Sequence, residues 1–521
     1  MNEQQFWRGL QQTIHRADTP EIAQLQSERL VELTANPALP TKLIIQTICN
    51  GPVYLTERAT LNFPAITPTV SLTANQKLAL EMALSNSAIA LIVGSPATGK
   101  TRIARSLANA AINFSQRVLI LTRNKTTLNA YSNLPGYPFW LNQQQDYRDW
   151  IIEQLRSRHL AQPQMDYLPL QLLPDKELAK LRTPARLEKW LPIIQTASVQ
   201  ILTQLLQQAF PDLNTTRVQL LAYRLNKLEP LLQQQLKLSQ LYSNLSEQAI
   251  AELSEQLAEN PQVPILGTVA EFMQPQYQFL WQTTFDLIIV EEAHYLSWIE
   301  LILLSGLGKK LVLFGDEIPR RYPTSSQQPF FTYPYSFNWL TQYLLPAYRY
   351  QLTEQFRLHP EIARLVYPVI CDRSLQTQSS PIHYDLPHLK HRLVWHDVPN
   401  QTEGEHIIRF LQSLNPQLIS QIGIITFCSQ ERDQLKANLL QDFSDILIAT
   451  VGEWAGLERA ISIVSCAGNP AITPEDINIA LTRGQDYLIL FGDYEHWRQF
   501  ASPIRTLLAQ PLYKERMVLL S

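Results

Sequence analysis

One octapeptide constrains this chain more than any other part of it: Gly94-Ser95-Pro96-Ala97-Thr98-Gly99-Lys100-Thr101, of the form G-x-x-x-x-G-K-T. The apolar run Ala88 to Val93 precedes it and reads as a buried strand, and Arg102 to Asn113 follows and reads as a helix. A loop of this kind works only at such a strand-to-helix turn, where backbone N–H groups close around a polyphosphate at a helix N-terminus. The glycines permit that close approach, Lys100 reaches the outer phosphates, and Thr101 offers its hydroxyl to Mg²⁺. The octapeptide therefore predicts a parallel α/β sheet and a nucleoside triphosphate site lined by all eight of its residues.

Composition narrows the class without naming it. With 521 residues and 45% hydrophobic content, the chain can bury more than one core. The net charge of −3 gives no global sign of nucleic-acid binding, so any such binding must use a local basic groove. Cys49, Cys371, Cys428 and Cys466 are scattered with no C-x-x-C pair, which argues against a zinc or iron–sulfur module. The N-terminus is polar and mixed in charge, and no apolar run approaches membrane-spanning length. The expectation is a soluble, cytoplasmic protein with no membrane partner.

Along the chain, residues 1–71 read as a helical extension ending in a connector marked by Pro64 and Pro68. From 72 to 140, helix and strand alternate: an amphipathic stretch from Gln76 to Leu84, the strand before the loop, and Val118 to Leu121. Leucine and glutamine then dominate 141–262, where Leu221, Leu225, Leu228 and Leu232, and Leu238, Leu241, Leu245, Ile250, Leu253 and Leu257, recur at helical spacing. Pro230 should break the first stripe. These stripes read as helix-packing surface, and the segment as a helical insertion. Strands return at Val263–Gly267, Leu287–Val290 and Leu311–Phe314, so the first α/β domain resumes over 263–340. A second α/β domain spans 341–521, with strands near 392–395, 422–426, 446–450, 461–465 and 487–491.

Two adjacent acids, Glu291 and Glu292, follow the strand Leu287–Val290. Nucleotide hydrolysis needs one carboxylate for the metal and another to orient or deprotonate water, both at the carboxyl end of a strand beside the phosphate loop. By position, Glu291 serves Mg²⁺ with Thr101, and Glu292 serves the water. Arg357 and Arg483 are candidates to stabilise charge on a transferring phosphoryl group. Taken singly, each arginine also reads as a surface ion pair.

The order of these segments resembles the superfamily 1 helicases, specifically the 5′-to-3′ branch that includes RNA-decay helicases and replication helicase-nucleases. Leu72-Thr73-Ala74-Asn75-Gln76 resembles the stretch whose glutamine reads adenine, and Thr122-Arg123-Asn124-Lys125 the segment that touches the nucleic-acid backbone. Gly315-Asp316 resembles the coupling motif, and Phe356-Arg357-Leu358-His359-Pro360 the aromatic-Arg-Met-His-Pro signature, in which the ring stacks on the base. Ile424-Ile425-Thr426 through Gln430, Thr450 through Glu458, and Asn478 through Arg483 resemble the later motifs. The resemblance implies two RecA-like parallel-sheet domains of the P-loop NTPase class, with the helical insertion in the first. It also implies ATP and Mg²⁺ at their interface, with Gln76, Phe356 and Glu458 among the nucleotide-binding residues. Single-stranded DNA or RNA is the implied partner, and the insertion could engage a protein partner.

The chain departs from that pattern in four places. Glu291 stands where the family has Asp, Pro319 where it has a coupling Gln, and Gly452 and Ala455 where it has Asp and Gln. These changes touch coupling more than nucleotide binding, which leaves open an ATP-switched nucleic-acid- or protein-binding NTPase without productive unwinding. The aromatics Tyr322, Phe330, Phe331, Tyr333 and Tyr335, mixed with Arg320 and Arg321, could stack on bases or pack a connector.

Overall fold

A computed structural model describes residues 2–14, 19–55, 57, 71–114, 116–132, 134, 139–141, 184–211, part of 214–229, 264–316, 336–371, 373–378, 384, 386, 389–400, 402–439, 443, 446–454, 457–467, 472–499, 502–510 and 519–520. Pro64, Pro68, Pro319, Ala455, the 320–335 aromatics and arginines, Leu228, Pro230, Leu232 and the stripe Leu238–Leu257 lie outside the described residues.

Seven strands build the first sheet: β1 (Ile89–Val93), β2 (Val118–Thr122), β3 (Phe139–Trp140), β4 (Ile265–Thr268), β5 (Phe285–Val290), β6 (Gly308–Gly315) and β7 (Arg349–Gln351). Their order is β3-β4-β2-β5-β6-β1-β7, and every pairing is parallel. Sequences such as Ile-Ala-Leu-Ile-Val in β1 are apolar throughout and buried at every position, as strands covered on both faces must be. The edge strand β7 lies beyond residue 340, where the sequence placed the end of this domain. It stays with the first sheet because Leu91 to Val93 supply a free parallel edge for Arg349 to Gln351.

Between the two sheets, β8 (Glu354–Gln355) and β9 (Gln376–Thr377) form a small parallel pair. The second sheet comprises β10 (Leu393–Asp397), β11 (Ile422–Thr426), β12 (Leu447–Thr450), β13 (Arg459–Ser465), β14 (Gly484–Gly492) and β15 (Leu519–Leu520), in the order β12-β11-β13-β14-β10-β15 and again all parallel. One core, including Trp395, Trp454, Tyr367 and Leu490, covers one side, and another, including Ile407, Ile424, Ile463 and Phe491, covers the other.

Three helices, α1 (Glu3–Ile14), α2 (Pro20–Ala35) and α3 (Leu39–Asn50), pack on the first lobe. The Thr41 and Ser305 hydroxyls share a hydrogen bond of 2.8 Å, and Arg29 donates to the Gly306 carbonyl at 3.2 Å. Next come α4 (Ala74–Leu84) and α5 (Lys100–Asn113). A capping box starts α4: the Gln76 N–H donates to the Thr73 hydroxyl, and the Thr73 N–H to the Gln76 carboxamide oxygen.

The chain forms two compact units, Met1–Asn142 with Ala258–Ser521, and Gln143–Leu257. In the second unit, the helices Pro184–Thr196 and Val199–Ala209 share a small core of Leu191, Ile194, Leu202, Leu206, Val218, Leu221, Ala222 and Leu225. Leu221 and Leu225 thus face helix packing. The architecture is two RecA-like parallel-sheet lobes, with a helical insertion between β3 and β4 of the first.

Candidate nucleotide site

Because β5, β6 and β1 are consecutive neighbours, their carboxyl ends bring three loops together: Glu291-Glu292 after β5, Asp316 after β6, and Gly94–Gly99 after β1. In the second sheet, Glu458 and Arg483 immediately precede β13 and β14. The charges of Asp316 and Glu292, at carboxyl ends of the first sheet, act on Arg483 at an amino end of the second.

The phosphate loop has the backbone expected of an anion cradle. Ala97 has φ 69° and Gly99 φ 81°, both in the left-handed region. The left-handed φ favours glycine at position 99, and a Cβ there would also displace the end of the Gln76 side chain. Gly99 also offers no side chain to cap α5, which leaves the first-turn N–H groups of that helix uncapped. The Thr98 hydroxyl donates to the Ser95 carbonyl at 2.8 Å, closing the turn from inside. Lys100 Nζ donates to the carbonyls of Gly94 at 2.6 Å and Ser95 at 3.1 Å, and pairs with Asp316.

Glu291 is buried, with 3% of its surface exposed. Its two oxygens are both engaged, by Thr101 Oγ1 at 2.5 Å and by the hydroxyl of fully buried Tyr131. Burial pushes its carboxyl up to about 7, and the Thr101 and Tyr131 hydrogen bonds hold it below what burial alone would impose. Glu292 adopts φ 54°, a left-handed conformation uncommon outside glycine. Its carboxylate accepts from the Asn124 N–H at 3.1 Å and from Asn124 Nδ2 at 3.2 Å. Burial raises its pKa as well, against those two bonds.

Arg357 is presented by a turn that Gln355 holds rigid. Fully buried Gln355 accepts from the N–H groups of Arg357 at 3.0 Å and Leu358 at 2.8 Å, and donates to the Leu358 carbonyl at 2.7 Å and Thr377 Oγ1 at 2.8 Å. The Arg357 guanidinium forms an ion pair with Glu458 and donates to the Thr482 carbonyl at 3.3 Å. Its position is in the crossing between lobes, at the edge of the second domain that the sequence assigned it to. Neighbouring Phe356 donates its N–H to the Ala97 carbonyl in the phosphate loop at 2.9 Å.

Arg483 is half-buried, and burial followed by the like charge of Arg357 pulls its pKa down to about 10, while Asp316, Glu292 and Glu458 act in the opposite sense. It donates to the Leu457 carbonyl at 3.4 Å, and the charges of first-lobe Asp316 and Glu292 reach it electrostatically. Its Nε is buried with no hydrogen-bond partner, so this guanidinium has an unused donor at a site that gathers phosphate-binding groups.

Gln76 is 1% exposed, and its carboxamide is spent internally: the oxygen on the Thr73 N–H, the nitrogen on the Thr98 carbonyl at 3.4 Å. In this structure it braces the phosphate loop. Lys125 pairs with Glu271 at 2.9 Å and Arg123 lies 4.0 Å from Glu300, so both cations of the 122–125 segment have acidic neighbours. Sequence reasoning missed Tyr131 and the hold of Asn124 on Glu292. Tyr131 carries no local signal, whereas Asn124 stands two residues past the end of β2, next to β5, where a polar residue reaches the Glu292 carboxylate.

Residues 337–495 match the AAA domain family. A probable helicase of Dictyostelium discoideum is 26% identical over 242 residues, which cover 40% of this chain and 25% of that protein. The chain thus matches about a quarter of that relative's length. Among solved structures, the arterivirus nonstructural protein 10 helicase aligns over 81% of this chain and 63% of its own, with TM-score 0.36 and 12% identity. The PRRSV helicase aligns over 81% and 56%, with TM-score 0.34 and 10% identity.

Proposed function

We propose that this chain, a protein of the superfamily 1 helicase type, hydrolyses ATP between its two RecA-like lobes and uses the cycle to act on single-stranded DNA or RNA, in the 5′-to-3′ sense. The reading is supported by a chain of contacts: Lys100 pairs with Asp316, Thr101 with Glu291, Phe356 beside Arg357 donates its N–H to the Ala97 carbonyl, and Arg483 feels the charges of Arg357, Asp316 and Glu292. A buried carboxylate, Glu291, with a half-buried second acid and a lysine nearby is a costly arrangement for structure alone, and it suits a polyphosphate that brings its own charge.

Thr101 Oγ1 and the Glu291 carboxylate form a hard oxygen set, which fits Mg²⁺. Those two residues would hold the ion, and it would neutralise phosphate charge there. The chain's own groups do the rest. Lys100 leaves Asp316 for the outer phosphates, Glu292 orients and accepts a proton from the attacking water, and Arg357 and Arg483 face the charge that spreads on the transferring phosphoryl group. Phe356 and Gln76 border the nucleotide, and Glu458 releases Arg357 as the phosphates compete for it. ATP then favours closed lobes, and hydrolysis releases them. The boundaries 1–71, 72–140 with 263–340, 141–262 and 341–521 remain our division by role, with β7 added to the first lobe. Among the described residues, no helix is long and apolar enough to cross a membrane, and we place the protein in the cytoplasm.

The second reading is an ATP-switched nucleic-acid- or protein-binding NTPase without productive unwinding, favoured by Gly452, which has no side chain where the family carries an acid. Phosphate release and strand separation, measured in parallel on duplexes with 5′ or 3′ single-stranded tails, distinguish the two. Unwinding from a 5′ tail supports the motor. Tail-dependent turnover with no strand separation selects a nucleic-acid clamp, weak turnover unmoved by nucleic acid selects a switch that binds a protein partner, and no turnover removes both readings.

A further inference from the structure

Two consecutive residues of the phosphate loop are held from outside by one short segment. Phe356 donates its N–H to the Ala97 carbonyl at 2.9 Å, and Tyr367 donates its hydroxyl to the Pro96 carbonyl at 2.7 Å. The Cys371 thiol, one helical turn further on, donates to the Tyr367 carbonyl at 3.1 Å. Tyr367 and Cys371 lie on and just after the helix Pro360–Ile370, whose other buried residues, Ile362, Leu365 and Val366, belong to the core of the second lobe. Tyr367 itself is fully buried in that core. The loop it touches contains a left-handed alanine, Ala97, a conformation that persists only where the surroundings impose it.

We infer that Tyr367 is a positioning residue of the phosphate loop, through which the first helix of the second lobe sets the loop's nucleotide-binding shape. The peptide group is planar and trans, so holding the Pro96 carbonyl toward Tyr367 turns the Ala97 N–H to the opposite side. Together with the Phe356 bond on the next carbonyl, this fixes two successive peptide planes of the cradle. Lobe movement and nucleotide grip are thereby linked: displacing the helix frees the loop, and a loop ordered by phosphates holds the helix. The inference rests on the nucleotide site proposed above.

Tyr367→Phe keeps the packing and removes only the hydroxyl. Losing one neutral hydrogen bond should weaken binding of a fluorescent ATP analogue, and raise KM for ATP, by about fivefold, with kcat within twofold of wild type and at most a small drop in melting temperature. Amide hydrogen exchange, measured without nucleotide, should quicken in Gly94–Thr101 and stay at wild-type rates in the sheets. Wild-type affinity, KM and loop exchange in the variant would overturn the inference, as would a lower melting temperature with no change confined to the loop. The exchange measurement needs no nucleotide. A wild type that fails to bind ATP better than Lys100→Ala defeats the proposed function, while loop exchange separately decides whether Tyr367 positions the loop.

Discussion

Replacing Arg483 with alanine should separate catalysis from folding. The fold holds this guanidinium under strain: burial and Arg357 lower its pKa from 12.5 to about 10. At about 1.4 kcal/mol per unit, that shift sets a ceiling of about 3 kcal/mol on the destabilisation borne by the charged form at neutral pH. Solvent reaching a half-buried group reduces it to about 1–3 kcal/mol. Since the folded pKa is depressed for a cation, this penalty is fully present below about pH 10 and is relieved only as pH rises from there toward 12.5. Against it, alanine forfeits one long hydrogen bond, to the Leu457 carbonyl at 3.4 Å, and the packing of the aliphatic stem. The balance is a melting temperature equal to or slightly above wild type. Hydrolysis should fall on the order of 10³-fold or more, the usual loss for an arginine that faces the transferring phosphoryl group. Phosphate release at saturating ATP, paired with thermal and urea melts at pH 7.5, provides the test. A loss of several degrees in melting temperature with near-normal turnover per folded molecule would refute the reasoning and make Arg483 a structural ion-pair residue.

Lys100→Ala should abolish turnover while circular dichroism and melting show an intact fold, because Asp316 is partly exposed and can be solvated once its partner is gone. Glu291→Gln should change the pH dependence of stability. The Glu291 carboxyl is raised from 4.5 to about 7 in the folded state, so the wild type loses stability as pH rises across that window, by up to about 3 kcal/mol, and the variant does not. Melts from pH 4.5 to 8 should show the variant's advantage growing up to about pH 7 and then levelling, and parallel curves would contradict the assignment. Replacing about Asn142 to Asn260 with a short flexible linker should leave basal ATP turnover measurable and alter nucleic-acid or partner binding; a folded product unable to bind ATP would place the insertion in the nucleotide core.

Much of this site could be read in the sequence because its parts are local. The phosphate loop, the acid pair after β5 and Asp316 after β6 each sit at the end of an apolar run, and parallel strands align such ends without further information. The short strands β3, β7, β8 and β9 escaped notice because two or three residues carry no periodicity; β7 is assigned by its partner β1 and not by its own sequence. The partners that tune the site were equally hidden. Tyr131 reaches Glu291 from 160 residues away in sequence, and Tyr367 reaches Pro96 across 271. Gln76 shows how one residue can be seen and still be incompletely understood: its place in the motif was legible, whereas its use of both amide atoms to cap α4 and brace Thr98 depends on the packing of that helix against the loop.

The central claim is that ATP chemistry at this loop is tied to a nucleic-acid strand. Its most direct test is steady-state phosphate release by the wild-type chain with no polymer, with single-stranded DNA and with single-stranded RNA, using Lys100→Ala as the background. The account predicts turnover that depends on Lys100 and rises several-fold with at least one of the two strands. Equal rates in wild type and Lys100→Ala, or Lys100-dependent turnover unmoved by either strand, would contradict it.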